Sequence, residues 1–344
     1  MATNIQNEVS ANLKWGMERN FLLNKDLRRC FFAALHLFCR YSGKFVRFLC
    51  CVPDSYLSDR SNTMSEKHPQ GNSLPLAVVT GASEGIGKEF VRQLAAKGYN
   101  LLVIARRGHL LAELKTELED KHHIRVETLI CDLTKPDELK KIEDRLEKEE
   151  SLEVLINNAG FAFGNVFPEV DPDLEESMIR LHVLAVMRLS RAALVPMCKR
   201  KKGYLINVSS ASAFFSSRGS VEYTATKAYI LSFSKSLQYD VRQYGVRVQA
   251  LCPGWTHTGI HNTQLMQSFK KNKIPNWLWL SPEYVVRTSL NSIRRTSHVI
   301  CIPSLRYKMI VGLFGNSIGG AVLDFFSNIV GIPARSKHNS TDKK

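Results

Sequence analysis

A run of apolar residues that ends in three glycines sets the strongest constraint on how this chain can fold. Residues 76–80 are Leu-Ala-Val-Val-Thr, and Gly81, Gly85 and Gly87 follow before apolar residues recur at helical spacing from Phe90. This order predicts a strand, a tight turn and a helix, because glycine makes such a turn without steric cost. The N–H groups and the positive dipole end of that helix favour a bound pyrophosphate. Packing is the other reading of glycines at such a turn.

From Leu74 onward, short apolar runs alternate with segments of helical periodicity. The predicted strands are Leu76–Thr80, Leu101–Ala105, Val126–Cys131, Val154–Asn157, Tyr204–Val208, Val246–Leu251 and His298–Ile302. The predicted helices are Lys88–Lys97, Leu110–Asp120, Asp137–Glu149, Leu174–Lys199, Tyr223–Gln243 and Pro282–Arg295. Strands that alternate with helices form right-handed crossovers and a parallel sheet covered on both faces. We therefore predict a single α/β domain over residues 74–303, with a doubly wound parallel sheet of about seven strands.

Residues 1–73 form an N-terminal extension without this alternation. Between Leu27 and Val52, aromatic residues and leucines are mixed with five Arg and Lys residues, and the apolar run from Cys30 to Cys39 is too short to span a bilayer. Such a basic amphipathic segment can lie on a membrane surface, where cysteines 50 and 51 are able to carry acyl chains. The alternatives are a disordered extension, or residues upstream of a start at Met64.

Residues 304–344 form an apolar tail with a basic end. Residues 309–332 contain Asp324 as their single charged residue, and Gly315 and Gly319 have G-x-x-x-G spacing. The length is sufficient for a transmembrane helix, but an aspartate at mid-bilayer costs about 2.5–3.5 kcal/mol. We expect helices that pack on the substrate side or contact a membrane surface, with a transmembrane span as the alternative.

A formal net charge of +15 suggests an anionic partner. No zinc-finger spacing or RNA-recognition signature accompanies the charge, so we expect neither nucleic acid nor a metal. Coenzyme phosphates and a membrane surface suffice to explain basic patches. The eight cysteines show no C-x-x-C pair and no regular spacing. This favours a reducing compartment and a cytoplasmic location, with peripheral membrane contact through the extensions.

A tyrosine and a lysine four residues apart open the long predicted helix that follows residue 222. Tyr223 and Lys227 share a helix face, and a neighbouring ammonium is expected to lower the tyrosine pKa toward working pH. Such a tyrosine can exchange a proton with an alcohol or carbonyl oxygen. Taken alone the spacing is common on helix surfaces. Thirteen residues before Tyr223, however, Ser210 follows a predicted strand, at the sheet edge where ligands bind in open α/β folds.

Together these motifs resemble the short-chain dehydrogenase/reductase family over residues 76–303. The resemblance implies a Rossmann-type fold, a catalytic set of Ser210, Tyr223 and Lys227 in which Ser210 also contacts the substrate, and a lysine that anchors the nicotinamide ribose beside the tyrosine. It also implies these coenzyme contacts: Gly81, Ser83, Gly85, Ile86, Gly87, Asp132 at the adenine, Asn158 in the N-N-A-G turn, and Pro253, Gly254, Thr256 and Thr258 in a P-G-x-x-x-T loop. We also expect a homo-oligomer.

One position departs from the family pattern. Residues 181–183 are Leu-His-Val, where the family usually has asparagine in place of His182. In the family the main-chain carbonyl of that residue holds a water that connects the lysine to solvent. His182 keeps the carbonyl, so it remains in the candidate catalytic set, but its side-chain contacts must differ.

The residues after the second strand predict the coenzyme. An acid at the end of that strand would bind the ribose 2′-hydroxyl of NAD, whereas this chain has Ala105 followed by Arg106 and Arg107. Guanidinium groups suit a phosphate, so we predict NADP(H). Two exposed, solubilising arginines are the alternative.

The substrate is predicted only by class. Residues 255–280 include Trp277, Leu278 and Trp279, which either form a lid over an apolar ligand or pack internally. Ala-Arg-Arg, the Ser281-Pro-Glu stretch and the apolar tail resemble a branch near the 3-oxoacyl and 17β-hydroxysteroid reductases. The resemblance therefore implies an NADP(H)-dependent enzyme that reduces a lipid-like carbonyl or oxidises the alcohol. A non-catalytic NADP-binding sensor or scaffold and a membrane-tethered partner-binding protein are the competing classes.

Overall fold

Seven parallel strands form a single sheet in the described part of the chain. The computed structural model describes residues 74–216, 219–262, 264–266, 274–295 and 298–314. The strands are β1 Leu76–Thr80, β2 Asn100–Ala105, β3 Val126–Ile130, β4 Leu152–Asn157, β5 Gly203–Val208, β6 Val246–Leu251 and β7 Ile300–Cys301. The predicted strands are thus confirmed, with β7 shorter than expected. The N-terminal extension and the tail beyond Phe314 lie outside the described residues.

Helices connect the strands and cover both faces of the sheet. They are α1 Gly85–Ala95, α2 Gly108–His122, α3 Pro136–Lys148, α4 Pro172–Ile179, α5 Val186–Arg200, α6 Val221–Val241, α7 Pro282–Arg295 and α8 Leu305–Phe314. Alternate residues of β1 enter opposite cores: Ala77 and Val79 pack in the core that α1, α2 and α7 complete, and Val78 packs in the core that α3 and α5 complete. This two-sided burial is why the strands are apolar at successive positions.

The strand order fixes where a ligand can bind. It is β3-β2-β1-β4-β5-β6-β7, so the chain first builds outward from β1 and then returns to place β4 on the other side of β1. In open α/β sheets ligands bind at the carboxyl ends of the strands beside such a reversal. The glycine turn after β1 and the N-N-A-G turn after β4 meet at this point.

The helix predicted over Leu174–Lys199 is three segments. A π-helical turn, Arg180–Ala185, separates α4 from α5. Such turns contain an extra residue and occur often at functional sites. The stretch Pro172–Arg200 is long and apolar enough to cross a membrane by length and composition, and half of its most apolar window is buried within the fold. Because it packs on the sheet through residues such as Leu189 and Ala193, its apolar character reflects a core position.

Candidate active site

The glycine turn adopts a shape that favours glycine at two positions. Gly81 and Gly85 have φ of +65° and +56°, in the left-handed region. A Cβ at Gly87 would overlap the carbonyl oxygen of Gly81, so the start of α1 packs on the turn only without a side chain there. Ser83 is buried within the turn, and Ile86 begins α1 with its side chain against the core. This cradle fits the phosphates of a dinucleotide.

The N-N-A-G turn braces the glycine turn from the neighbouring strand. The Thr80 hydroxyl accepts hydrogen bonds from the backbone N–H groups of Asn158 and Ala159, at 2.9 and 3.0 Å. The Asn158 amide nitrogen donates in return to the carbonyl oxygens of Thr80 and Gly81, at 3.0 and 3.2 Å. Asn158 therefore acts on the shape of the cradle, and its side-chain amide faces the backbone of β1.

Of the two arginines after β2, Arg107 lies against the glycine turn and Arg106 lies near Asp132. The Arg107 guanidinium donates to the Ser83 hydroxyl at 2.8 Å and forms an ion pair with Glu84 at 3.0 Å, and both members of the pair are almost half exposed. Arg106 is exposed and close enough to the Asp132 carboxylate to favour its ionised form. Burial alone would raise the pKa of Asp132, but two hydrogen bonds from Thr134 together with this charge lower it.

A second loop, residues 253–258, forms the opposite wall. Thr258 lies against the glycine turn, since a Cβ on Gly85 would come within 3.0 Å of its side chain. The Thr256 hydroxyl donates to the Gly254 carbonyl oxygen at 2.9 Å, which shapes the loop. The carbonyl oxygen of Pro253 accepts from the N–H of Ala211 at 2.8 Å, so this loop is tied directly to the segment that carries Ser210.

Tyr307 of α8 supports this loop, and no sequence pattern indicated this role. Its ring fills the space that a side chain at Gly254 would need. Its hydroxyl accepts from the Trp255 N–H and donates to the Leu278 carbonyl oxygen, each at 2.9 Å. The start of the tail is thus part of the candidate site, because α8 holds the coenzyme-side loop in place.

Ser210, Tyr223 and Lys227 converge at the carboxyl end of β5. The Ser210 hydroxyl hydrogen-bonds the Tyr223 phenol, and it also accepts from the N–H of Ser212 at 3.1 Å. The Lys227 ammonium lies 5.6 Å from the centre of the Tyr223 ring and donates to the Val208 carbonyl oxygen at 3.0 Å. The residues that the sequence singled out from two separate segments therefore meet in space.

The expected lowering of the tyrosine pKa is not found in this structure. Burial raises the pKa of Tyr223, and the hydrogen bond from Ser210 only partly opposes this effect. Burial also lowers the pKa of Lys227 to about 8. One N–H of the Lys227 ammonium donates to the Val208 carbonyl oxygen. The phenol therefore stays protonated at neutral pH.

His182 sits behind this set, and its hydrogen bonds define one tautomer. Its Nε2 accepts from the N–H of Phe161 at 3.2 Å, so that nitrogen carries no proton. The Thr226 hydroxyl donates to the Tyr223 carbonyl oxygen at 2.9 Å and therefore accepts from His182 Nδ1 at 3.1 Å. Burial and the nearby Lys227 charge hold the pKa of His182 well below its usual range. A neutral imidazole thus links the N-N-A-G turn to the backbone of Tyr223.

A buried row of polar side chains crosses the sheet beneath the site. The Asn157 amide nitrogen donates to the Ser190 hydroxyl and to Asn207 Oδ1, at 3.0 and 2.8 Å, and Asn207 donates to the Ser234 hydroxyl at 3.0 Å. These bonds fix the ends of β4 and β5 to α5 and α6. Asn207, Ser190 and Ser234 were not predicted as site residues. Asn207 lies in the strand that leads to Ser210, and this position was the available signal.

Comparisons with known proteins agree with this geometry. A family model described as short chain dehydrogenase matches residues 75–268. A very-long-chain 3-oxoacyl-CoA reductase of Bos taurus is 31% identical over 260 residues, covering 70% of this chain and 80% of the reductase. An uncharacterized oxidoreductase of Staphylococcus saprophyticus is 30% identical over 225 residues, covering 65% of this chain and 93% of the oxidoreductase.

The solved structures lead to the same conclusion. A short-chain dehydrogenase from Sphingobium yanoikuyae in complex with NADPH is 29% identical, with a TM-score of 0.64, and covers 77% of this chain and 100% of that chain. The chain is an oxidoreductase of CH–OH and C=O groups that uses a nicotinamide coenzyme, and it belongs to the short-chain dehydrogenase/reductase family.

Proposed function

We propose that this protein uses NADPH to reduce the carbonyl group of an apolar, lipid-like substrate. The observation that carries the proposal is the Ser210–Tyr223 hydrogen bond at the carboxyl end of β5, with the Lys227 ammonium buried beside it. Two hydroxyl groups placed together in this way can hold one carbonyl oxygen between them. Residues 210 and 223 also lie next to the loop that faces the glycine cradle.

Each residue then has a task. When bound, the nicotinamide supplies the hydride to the carbonyl carbon. Tyr223 gives its proton to the carbonyl oxygen, and the Ser210 hydroxyl stabilises the charge that develops there. Lys227 holds the nicotinamide ribose and places a positive charge near the phenol as the proton leaves. A raised pKa for Tyr223 keeps the proton on the phenol, which is the form that a reduction requires.

Preference for NADP(H) is supported by the groups at the adenosine end. Arg106 and Arg107 present two guanidinium groups, and Ala105 places no carboxylate at the end of β2 to bind a free 2′-hydroxyl. A hydrogen bond to Ser83 and an ion pair with Glu84 hold the Arg107 guanidinium in place. A bound 2′-phosphate would replace Glu84 as the anionic partner of this guanidinium. The Sphingobium yanoikuyae relative was solved with NADPH.

The substrate class is supported by aromatic side chains above the candidate site. Trp279 stacks on His257 with ring centres 4.9 Å apart and lies 5.9 Å from the ring of Trp255. The Trp277 side chain is half exposed beside them. These rings adjoin the 253–258 loop and offer an apolar cover for a ligand. A 3-oxoacyl thioester is the first candidate, because a relative bears the name very-long-chain 3-oxoacyl-CoA reductase.

We also propose a cytoplasmic homo-oligomer that contacts membranes through its extensions. Apolar side chains remain exposed on the π-helical turn, on α5 and on α6, among them Leu184, Val195 and Tyr229. Exposed apolar side chains that form a patch are typical of subunit contacts. Sedimentation of the purified chain tests the assembly, and a monomer at micromolar concentration would contradict it.

Turnover of a series of 3-oxoacyl thioesters with NADPH tests the reaction. Tyr223→Phe should lower kcat by about 10²–10⁴-fold and leave NADPH binding unchanged, because the variant loses only the proton donor. Tyr229→Phe, six residues along the same helix, is the matched control and should match the wild type. Wild-type turnover in the Tyr223→Phe variant would refute the mechanism. An absence of turnover with lipid carbonyls but activity on small ketones would refute the substrate class alone.

A further inference from the structure

Exposed cations gather at the sheet edge opposite the candidate site. We call this surface the basic edge and define it by six exposed residues: Lys199, Lys201, Lys202, Arg247, Arg294 and Arg295. They come from the end of α5 and the turn after it, from the start of β6, and from the end of α7. Because all strands are parallel, these segments lie together at the amino ends of the strands.

Direct contacts join the members of the basic edge. The Arg247 guanidinium donates to the carbonyl oxygens of Ile293 and Arg294, at 3.0 and 2.6 Å. The turn at Lys201 abuts Gly245, where a Cβ would overlap the Lys201 carbonyl oxygen. The Arg294 guanidinium donates to the Tyr99 hydroxyl at 3.0 Å. These contacts bring the start of β6 against the end of α7 and against the turn after α5, which carry the six cations.

The acidic residues at this edge do not balance the cations. Glu153 is buried and is neutralised by Lys202 at 2.8 Å and by a hydrogen bond from the Tyr99 hydroxyl. Glu150 lies 3.7 Å from Lys199, and both side chains are largely exposed. Glu149 after α3 and Asp240 in the last turn of α6 also lie at this end of the sheet, so among the described residues the six cations outnumber four acidic residues there.

Two tyrosines flank the cations. Tyr239 in the last turn of α6 is 69% exposed, with Arg242 stacked over its ring at 5.6 Å, and Tyr244 in the turn before β6 is 42% exposed. Exposed tyrosines beside arginine and lysine are typical of surfaces that lie at the headgroup level of a membrane.

Stabilisation of helix ends explains only part of this charge. Cations in the last turn of a helix interact favourably with its dipole, which accounts for Lys199, Arg294 and Arg295. Arg247 lies in β6, but its guanidinium also stabilises a helix end, since it donates to carbonyl oxygens in the last turn of α7. Lys201 and Lys202 lie beyond the last residue of α5 and add to the surface charge outside any helix.

We propose that the basic edge docks on an anionic membrane surface. An anionic lipid surface complements the excess of cations at this edge, and the exposed tyrosines beside them suit its headgroup level. Tyr223 lies in the first turn of α6, about 24 Å along that helix from Tyr239, so the candidate site opens away from the bilayer. This orientation holds whichever carbonyl the protein reduces.

Partitioning of the full-length protein into vesicles tests the proposal. Phosphatidylcholine vesicles with and without phosphatidylserine are compared for the wild type and for the triple variant Lys199→Gln, Lys201→Gln and Arg295→Gln. Each cation near an anionic surface contributes about fivefold, so the triple variant should bind phosphatidylserine vesicles about 100-fold more weakly. The control variant Lys115→Gln, Lys140→Gln and Lys141→Gln removes the same charge from α2 and α3 and should bind like the wild type. NADPH binding checks that both variants are folded.

Hydrogen–deuterium exchange on bound vesicles reports the orientation. Peptides that cover residues 196–204 and 242–247 should be protected, and residues 210–227 should not. Equal partitioning of the two triple variants would overturn the proposal, as would protection confined to residues 1–73. Binding of duplex RNA by the basic edge with no binding of phosphatidylserine vesicles would overturn it in favour of a nucleic-acid partner.

Discussion

Acid should destabilise this protein through His182. The imidazole is 1% exposed and neutral, and its Nε2 is occupied as the acceptor for the Phe161 N–H. Burial and the Lys227 charge hold its pKa well below the usual value of about 6.5 that applies in the unfolded chain. Below about pH 6.5 the imidazole binds a proton in the unfolded state but stays neutral in the native state. The contribution of His182 to the free energy of unfolding is therefore fully present above about pH 6.5 and is lost as the pH falls.

The expected loss can be calculated from linkage. One group that is protonated only in the unfolded state removes about 1.4 kcal/mol per pH unit below its unfolded pKa, or about 2 kcal/mol between about pH 7.5 and about pH 5. Urea unfolding of the coenzyme-free, full-length protein at both pH values measures this loss. His182→Gln keeps an acceptor for Phe161 but cannot be protonated, so its loss should be smaller than that of the wild type by about 2 kcal/mol.

Comparison of variants isolates the effect from other titrating groups. His109→Gln removes an exposed imidazole from α2 and should lose as much stability as the wild type does. If His182→Gln and the wild type lose the same free energy of unfolding, then His182 is not held neutral and the tautomer assigned to it is wrong.

Three further outcomes follow from the site. In steady-state kinetics, the double change Arg106→Ala with Arg107→Ala should raise the KM for NADPH by about 10–100-fold and change the KM for NADH little. Adding Ala105→Asp should strengthen this shift in coenzyme preference. A double variant that still prefers NADPH would contradict the coenzyme assignment. Gly87→Ala should abolish NADPH binding in a fluorescence titration, because its Cβ has no room, whereas Gly312→Ala in α8 should bind normally. Deletion of residues 1–63 should leave a folded, NADPH-binding protein, since the sequence predicts no strand and contains no motif there, and failure to bind NADPH would disprove this.

Local patterns were sufficient to predict the sheet and the coenzyme cradle. A strand, a glycine turn and a helix are all encoded within residues 76–95, and the φ angles of Gly81 and Gly85 show the conformation that those glycines allow. The meeting of Ser210 with Tyr223 also followed, because a strand end and the next helix start share one edge of a parallel sheet.

Contacts between distant segments were not predictable in this way. Helical spacing placed Lys227 near Tyr223 but gave no information on burial, which raises the tyrosine pKa in the structure. Nothing in the sequence around Arg107 indicated that Glu84 would pair with it. Likewise, the packing of Tyr307 on Gly254 joins residues more than fifty positions apart.

The close packing of His182 on Gly160 restricts the order in which these two positions can change. A Cβ on residue 160 would lie 2.7 Å from the imidazole Nε2, so any larger residue there collides with the ring. A histidine can enter position 182 only in a chain that already has glycine at 160, and once it has entered, alanine at 160 is no longer tolerated. The smaller asparagine would relax that limit. The two positions are therefore epistatic, because the histidine at 182 excludes a substitution at 160 that asparagine at 182 would allow.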